Sequence, residues 1–427
     1  QGLKLDLDEF HATMPQGKLD LTGDLLVRTK YLWEFNAKVK ADKFPWTYVN
    51  ELVAEIREDA EPKAKNLPVT KMEIVTTDLD LSAAVITYPF DINKLELRNS
   101  RINFSFPGSK PISVDKLNLA LQNLHFKHPA NSGALTGMQS TKGTMELNEL
   151  NVPGLNALNV KMNIFGEDDK LDIDFSSTTQ ITKNQKGQFV LDISKKELEY
   201  HLQYFVQGAS LAYFVQKYYK KKLMEGTINY ALDIRTKGKT LAEAKENLSG
   251  EIEITGDSLR LYGIDIDNVL KKYEKSQNFN LTDVGAVLLA GPVGLAVTKG
   301  TDFVSLATIN FNSNQQTRIK SLLTKWKLEN RVLTAQDVAF STATNRIAFD
   351  GQIDFAKDSI PGITISVVDK NGCSLMDQKL YGKMGKMKTG KLNITKTLLG
   401  SIVNFANAIV GKDCKPVYSG RVKDPAH

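Results

Sequence analysis

The sequence predicts a mainly β protein with short helices (α+β), in which many short amphipathic strands form elongated, curved antiparallel sheets. Three observations predict it. Apolar and polar residues alternate with period two in segment after segment, as in Lys18-Leu19-Asp20-Leu21-Thr22, and a strand sends successive side chains to opposite faces. Turn-forming residues separate these segments. Apolar residues make up 41% of the chain and charged residues 24%, the balance of a folded chain.

Along the first half, the alternation passes through Leu79 and Leu81, then Ile102, Phe104 and Phe106, then Leu117, Leu119 and Leu121. It continues through Val160, Met162 and Ile164, through Leu171, Ile173 and Phe175, and through Phe189, Leu191 and Ile193. In the second half it returns at Ile228, Tyr230, Leu232 and Ile234, at Ile252 and Ile254, at Leu259 and Leu261, and from Ile347 to Phe355. One greasy and one wet side per segment is the pattern of antiparallel strands. The turn signals are Thr22-Gly23-Asp24, Pro107-Gly108-Ser109, Thr141-Lys142-Gly143, Gly166 to Asp169, Asn184 to Gly187, Thr255-Gly256-Asp257 and Asp350-Gly351. Roughly twenty strands exceed what one twisted sheet usually holds, so the sheet closes, splits or extends as a trough.

Helical periodicity interrupts the strands at Pro45 to Arg57, Gln207 to Leu223, Thr240 to Leu248, Ile264 to Lys275, Leu281 to Ala290 and Lys396 to Val410. Pro45 suits a first helical turn and Thr240 an N-cap. With 427 residues, the chain is too long for one ordinary core. It divides into a β-rich, repeat-like region over 1–205, with a helix near 45–57, and an α+β region over 206–427.

The net charge is +6, from 55 basic and 49 acidic residues, too weak an excess to argue for nucleic acid. No segment has the roughly 20 apolar residues that span a bilayer. The best candidate, Leu398 to Val410, is broken by Asn404 and Asn407. The opening Gln1-Gly2-Leu3 already reads as mid-strand, so it is expected to be a cut end. Cys373 and Cys414 are the only cysteines. They form either a disulfide closing the C-terminal module or two buried thiols.

Catalytic and metal motifs are lacking. His11, His125, His128, His201 and His427 fall in no HExxH and are read as surface or loop residues. Asp6 with Asp8, Asp78 with Asp80, and Asp265 with Asp267 are read as the wet faces of strands rather than acid–base pairs. Gly382-Lys383-Met384-Gly385-Lys386-Met387-Lys388-Thr389-Gly390 lacks the order of a phosphate loop and is read as a flexible basic loop. No GxSxG is present. The expectation is no catalytic residue, no metal and no cofactor.

Two sets of residues are candidates for binding. The run from Lys217 to Lys222, ending Lys220-Lys221-Lys222, either touches anionic lipid head groups or is a solvated helix end. The apolar strand faces, sampled by Ile102, Phe104, Phe106, Leu117, Leu119, Leu121, Ile228, Tyr230 and Leu232, either seal a core or line a trough for acyl chains. Alternation alone does not separate these readings.

From about residue 240 onward, the sequence resembles the AsmA family, the AsmA/TamB-like bacterial envelope proteins. One matching stretch runs from Leu241-Ala242-Glu243-Ala244 through Leu248-Ser249-Gly250-Glu251-Ile252 to Tyr262-Gly263-Ile264-Asp265-Ile266. A second spans Trp326 to Val338 and Ile347 to Phe355, with Arg331 where the family commonly has Gly. The third is Tyr418-Ser419-Gly420-Arg421-Val422-Lys423-Asp424-Pro425, with Arg421 in place of Thr. The resemblance covers roughly the last 45% of the chain, and its motifs are turns and strand ends. It implies a periplasmic body in a Gram-negative cell, held by an inner-membrane anchor preceding this chain, and a non-enzymatic role in outer membrane biogenesis. By analogy with the family's larger members, it implies lipid transport, with phospholipid or another acyl-chain ligand in a β-sheet groove. The alternative is a closed-core scaffold assisting outer-membrane protein assembly machinery. Fold analogy alone is weak warrant for either.

Overall fold

Period-two alternation becomes a ladder when each strand folds back on the one before it. In a computed structural model, this protein does so almost throughout. The structure describes residues 3–14, 17–27, 32–45, 71–86, 90–105, 111–126, 141–152, 155–167, 169–179, 182, 184–195, 197–213, 223–238, 241–272, 315–384, 386–394 and 414–425. It is mainly β, antiparallel, with short helices. The chain splits into two compact units, Gln1–His201 and Leu202–His427.

Unit 1 contains β1 (Leu3–Met14), β2 (Gly17–Val27), β3 (Leu32–Pro45), β4 (Lys71–Ile86), β5 (Phe90–Ser105), β6 (Ile112–Phe126), β7 (Thr141–Val152), β8 (Leu155–Glu167), β9 (Lys170–Thr178) and β10 (Asn184–Asp192). Each pairs antiparallel with the next in sequence. The strands outrun their alternating segments: β4 and β5 have 16 residues each. Bulges make this possible. Asn99, Lys116 and Asn159 take φ of 46°, 51° and 50°, and the register of β5 against β6 shifts between Leu97 and Ile102. A bulge adds a residue, bends the strand and lets pairing resume on the same face. Asn tolerates the left-handed region because its amide bonds locally, and the Asn118 amide oxygen accepts the Asn99 backbone N–H at 2.9 Å.

Unit 2 holds most of β11 (Leu198–Ser210), then β12 (Met224–Glu225), β13 (Thr227–Gly238), α1 (Leu241–Glu246), β14 (Ser249–Tyr262), α2 (Ile266–Lys272), β15 (Gln316–Glu329), β16 (Val332–Ser341), β17 (Arg346–Asp354), β18 (Ser359–Val368), β19 (Ser374–Lys383), β20 (Lys386–Thr389) and β21 (Asn393–Ile394). β13 to β19 form a sequential antiparallel run. β11 lies beside β13 and β12 beside β14, while β20 and β21 both pair with β19. One face of this run is largely buried from β14 to β19, while Tyr230, Leu232 and Ile234 of β13 are half-buried at its margin. Trp326, Leu333, Val338, Phe340, Ile363, Ile365 and Met376 share a core that also receives Ile266 and Leu270 of α2. On the other face, Leu323, Ala339, Ala348 and Val368 are closed over by Tyr418 and Val422 of the C-terminal segment.

Several sequence expectations are corrected. Thr22-Gly23-Asp24, Thr141-Lys142-Gly143, Asn184 to Gly187, Thr255-Gly256-Asp257 and Asp350-Gly351 are not turns but lie within β2, β7, β10, β14 and β17. The glycine in such places allows close backbone approach between strands: a Cβ at Gly23 would come within 2.2 Å of the Asn36 carbonyl oxygen. Gly166 to Asp169 does turn, closing Glu167 onto Lys170, with Asp169 at φ 61°.

Residues 207–210 belong to β11, and helical conformation begins only at Leu211. Asp265 and Asp267 sit at the start of α2 rather than on a strand. Asp265 Oδ1 accepts the Asn268 N–H at 3.0 Å, and Asp267 Oδ1 accepts from Thr342, Thr344 and Asn345 at 2.5, 3.0 and 2.7 Å. The expected basic loop is instead the β19–β20 hairpin. The expected helices at α1 and α2 are present. Pro45, expected to open a helix over 45–57, instead ends β3 opposite Glu73; the rest of that segment and those at 281–290 and 396–410 lie outside the described residues, as do Pro107-Gly108-Ser109, His128 and His427.

Candidate functional site

The site of interest is a face, not a pocket. In unit 1 the register places Phe10, Leu21, Val39, Leu79, Leu97, Leu119, Met145, Met162 and Phe175 opposite one another across nine strands. Two residues along, a second row runs from Leu7 through Gly23, Ala37, Leu81, Leu95, Leu121, Gly143, Ile164 and Ile173 to Phe189. A third row, Leu5, Leu25, Phe35, Ala83, Ile92 and Leu124, crosses the first six strands. Residues two apart share a face, so the rows form one apolar band. The two rows that cross nine or more strands lie about 7 Å apart along the strands, at about 3.4 Å per residue, and over β1 to β6 the backbone register adds the third row and a fourth, from Leu3 through Val27, Trp33, Val85 and Phe90 to Phe126.

The opposite face carries the charge. Glu96 Oε1 lies 3.3 Å from Lys94, and Glu96 also pairs with Arg98. Arg101 meets Asp115 at 2.6 Å and Lys161 meets Glu146 at 3.2 Å. His11 lies between Asp20 at 2.5 Å and Glu9 at 2.7 Å. Hydrogen bonds to Asp20 first, then to Glu9, raise the His11 pKa above its ordinary value. Such pairs sit in water and contribute little to stability. They mark which face is wet.

The apolar band is incompletely covered. Leu119, Leu121, Met145, Met162, Ile164, Ile173, Phe175 and Phe189 are half-buried. On β1, Leu3, Leu5, Leu7 and Phe10 are 62%, 51%, 41% and 46% exposed. Among the described residues of unit 1 there is no helix to lie across them. Burial is deeper at the bulged end, where Ile102, Val114, Leu117, Leu147, Ala157 and Val160 cluster.

The sequence-selected residues therefore separate. Leu119 and Leu121 lie in the half-buried band, Leu119 packing against the edge of the buried cluster that contains Ile102 and Leu117. Ile228 is in the unit 2 core, with Tyr230 and Leu232 packed against it. Burial raises the Tyr230 phenol well above its ordinary pKa. Ile228 is thus a core residue, while Tyr230 and Leu232 are half-buried at the margin of that core, as Leu119 is at the margin of the unit 1 cluster. Phe104 lies on β5, but its side chain is outside the described set, as are Phe106 and Lys220, Lys221 and Lys222. Cys373 and Cys414 are joined in a disulfide with Cα atoms 6.1 Å apart. Sequence reasoning did not single out the exposed leucines of β1 or the pair Met145 and Met162. The alternation Leu3-Lys4-Leu5-Asp6-Leu7 was the signal available for the former.

Among the described residues, no group of histidine, cysteine and carboxylate side chains is disposed to hold a metal, and no helix is long and apolar enough to cross a membrane. Comparison with known family models, curated proteins and solved structures finds no match to this chain.

Proposed function

We propose that this chain is the lipid-handling body of an AsmA-like envelope protein, non-enzymatic, and that it holds phospholipid acyl chains against the apolar band of unit 1. The observation that carries the reading is the half-open band itself. An apolar face of this extent, with charged residues confined to the opposite face, is unfavourable in water unless something covers it. An incompletely covered apolar face of this kind fits a hydrocarbon ligand. The disulfide is consistent with an oxidising compartment, so the periplasm of a Gram-negative cell is the proposed location, with an inner-membrane anchor elsewhere in the full protein.

The test is to purify the protein from a membrane-containing host and quantify extracted phospholipid by mass spectrometry. Near-stoichiometric phospholipid is the expected result, and protein that emerges empty contradicts it. The second reading, a scaffold that assists outer-membrane protein assembly machinery, draws on the sealed core of unit 2. Capture of a defined assembly protein by lipid-free chain favours that alternative.

A further inference from the structure

The motif Gly382 to Gly390 becomes, in the fold, the β19–β20 hairpin, with Tyr381 opposite Lys388 and Lys383 opposite Lys386. Directly paired residues share a face, as do residues two apart on one strand. Lys379, Tyr381, Lys383, Lys386 and Lys388 therefore project from one side, and all five are exposed. The alternate positions turn inward: Leu380 is in the unit 2 core and Met387 packs against it. From Ser374 to Lys391 the chain holds five lysines and one acidic residue, Asp377, against an excess of only +6 over all 427 residues.

None of the four lysines on this face makes an ion pair among the described residues. The carboxylates on neighbouring elements are otherwise placed. Asp377 bonds Asn393 at 2.9 Å and Ser374 at 3.3 Å. Asp350 lies two strands away, reached through Thr364, a spacing of about 10 Å, at which salt screens exposed charges. Asp358 sits in the turn before β18 beside Lys357, whose own ammonium meets Asp354 at 3.4 Å. The Lys379 stem lies over Gly362, where a Cβ would come within 2.4 Å of its Cε.

We propose that the exposed face of the β19–β20 hairpin docks on an anionic phospholipid surface. Four point charges on flexible stems, held by a rigid sheet at spacings of about 5–7 Å, suit a two-dimensional array of mobile single anions. The fit to nucleic acid is poorer. The face offers no arginine fork for phosphate, and Tyr381 is its one aromatic residue for stacking. With the methionine and leucine turned inward, the contact is electrostatic and peripheral rather than inserted. The inference concerns unit 2 and bilayer charge, and stands independently of acyl binding in unit 1.

The experiment is sedimentation of the full chain with phosphatidylcholine vesicles, with and without phosphatidylglycerol, at low and high salt. The wild type is compared with single Lys→Gln variants and with K379Q/K383Q/K386Q/K388Q. Expected are partitioning only to the anionic vesicles, loss at high salt, and weakening by about fivefold per lysine removed. Circular dichroism of the quadruple variant should be unchanged, because every altered side chain is exposed. Equal partitioning to neutral vesicles, indifference to the four substitutions, or an oligonucleotide bound through the same lysines as tightly as the vesicles would each overturn the proposal.

Discussion

Asp337 shows how one carboxylate organises the end of the chain. It accepts the Tyr418 hydroxyl at 2.7 Å and the Arg421 N–H at 3.0 Å, while the Arg421 guanidinium reaches on to Glu253 at 2.7 Å. Burial, then the Asp337 carboxylate, pushes the Tyr418 phenol far above its ordinary pKa of 10.0. A raised folded pKa means that the native state favours the neutral phenol. Its contribution is fully present below the unfolded value and is lost as pH rises through the folded one. Burial acts in the same direction on Tyr204 and Tyr230. The urea midpoint of unit 2 should therefore hold up to about pH 10 and fall above it. Tyr418→Phe should lower stability near neutral pH by about 1 kcal/mol through its lost hydrogen bonds, yet soften the alkaline fall. An unchanged alkaline slope in this variant contradicts the assignment. Arg331 is a second case. It departs from the glycine of the resembled family and sits at φ 65°, but its guanidinium bonds Glu246 at 2.7 Å and the Phe355 carbonyl at 3.1 Å. Arg331→Gly trades left-handed strain of about 1–2 kcal/mol against bonds of similar worth. It should shift the denaturation midpoint little, whereas Arg331→Ala keeps the strain, loses the bonds and should cost about 1–2 kcal/mol. None of these partners was visible in sequence, because Asp337 and Tyr418 are 81 residues apart.

At the scale of the element, alternation found the strands but misplaced their ends. Where it was regular, as at Lys18 to Thr22 or Ile228 to Ile234, a strand is present. The errors cluster at glycine. Gly351 was read with Asp350 as a turn, yet it lies inside β17 at φ 142°, and a Cβ there would come within 2.0 Å of the Gly362 carbonyl oxygen. The same residue type serves turns and close strand approach, and only the neighbouring strand decides between them. Gly351→Ala should accordingly destabilise unit 2 by about 3 kcal/mol, combining forbidden φ with overpacking, as read from a urea titration. A shift below about 1 kcal/mol is incompatible with this approach. The β19–β20 hairpin was missed for a related reason. Lysines dominate its exposed positions, and its inward-facing Met387 is too sparse a signal to announce a strand.

At the scale of the molecule, the two units differ in how they dispose of apolar surface. Unit 2 buries it against its own helices and a C-terminal segment that the disulfide ties to residue 373 across 41 positions. Loop-closure entropy for that separation is worth about 4 kcal/mol, so Cys414→Ser should lower the calorimetric transition of unit 2 and leave that of unit 1 in place. Unit 1 leaves much of its surface half-open, a distinction that no single segment could reveal, since Leu119 and Ile228 sit in equally regular alternation and only what packs over them leaves the first half-buried and the second buried. The band should therefore respond to charge as a binding face does and a core does not. Leu119 and Met145 are half-buried and directly paired, so Leu119→Lys with Met145→Lys places two long side chains whose ammonium groups still reach water. The double variant should keep its far-UV circular dichroism and the unit 2 transition, while the phospholipid recovered with the protein falls several-fold. If unit 1 unfolds instead, these positions are core. If the lipid yield is unchanged in a folded variant, the acyl chains, where present, lie elsewhere.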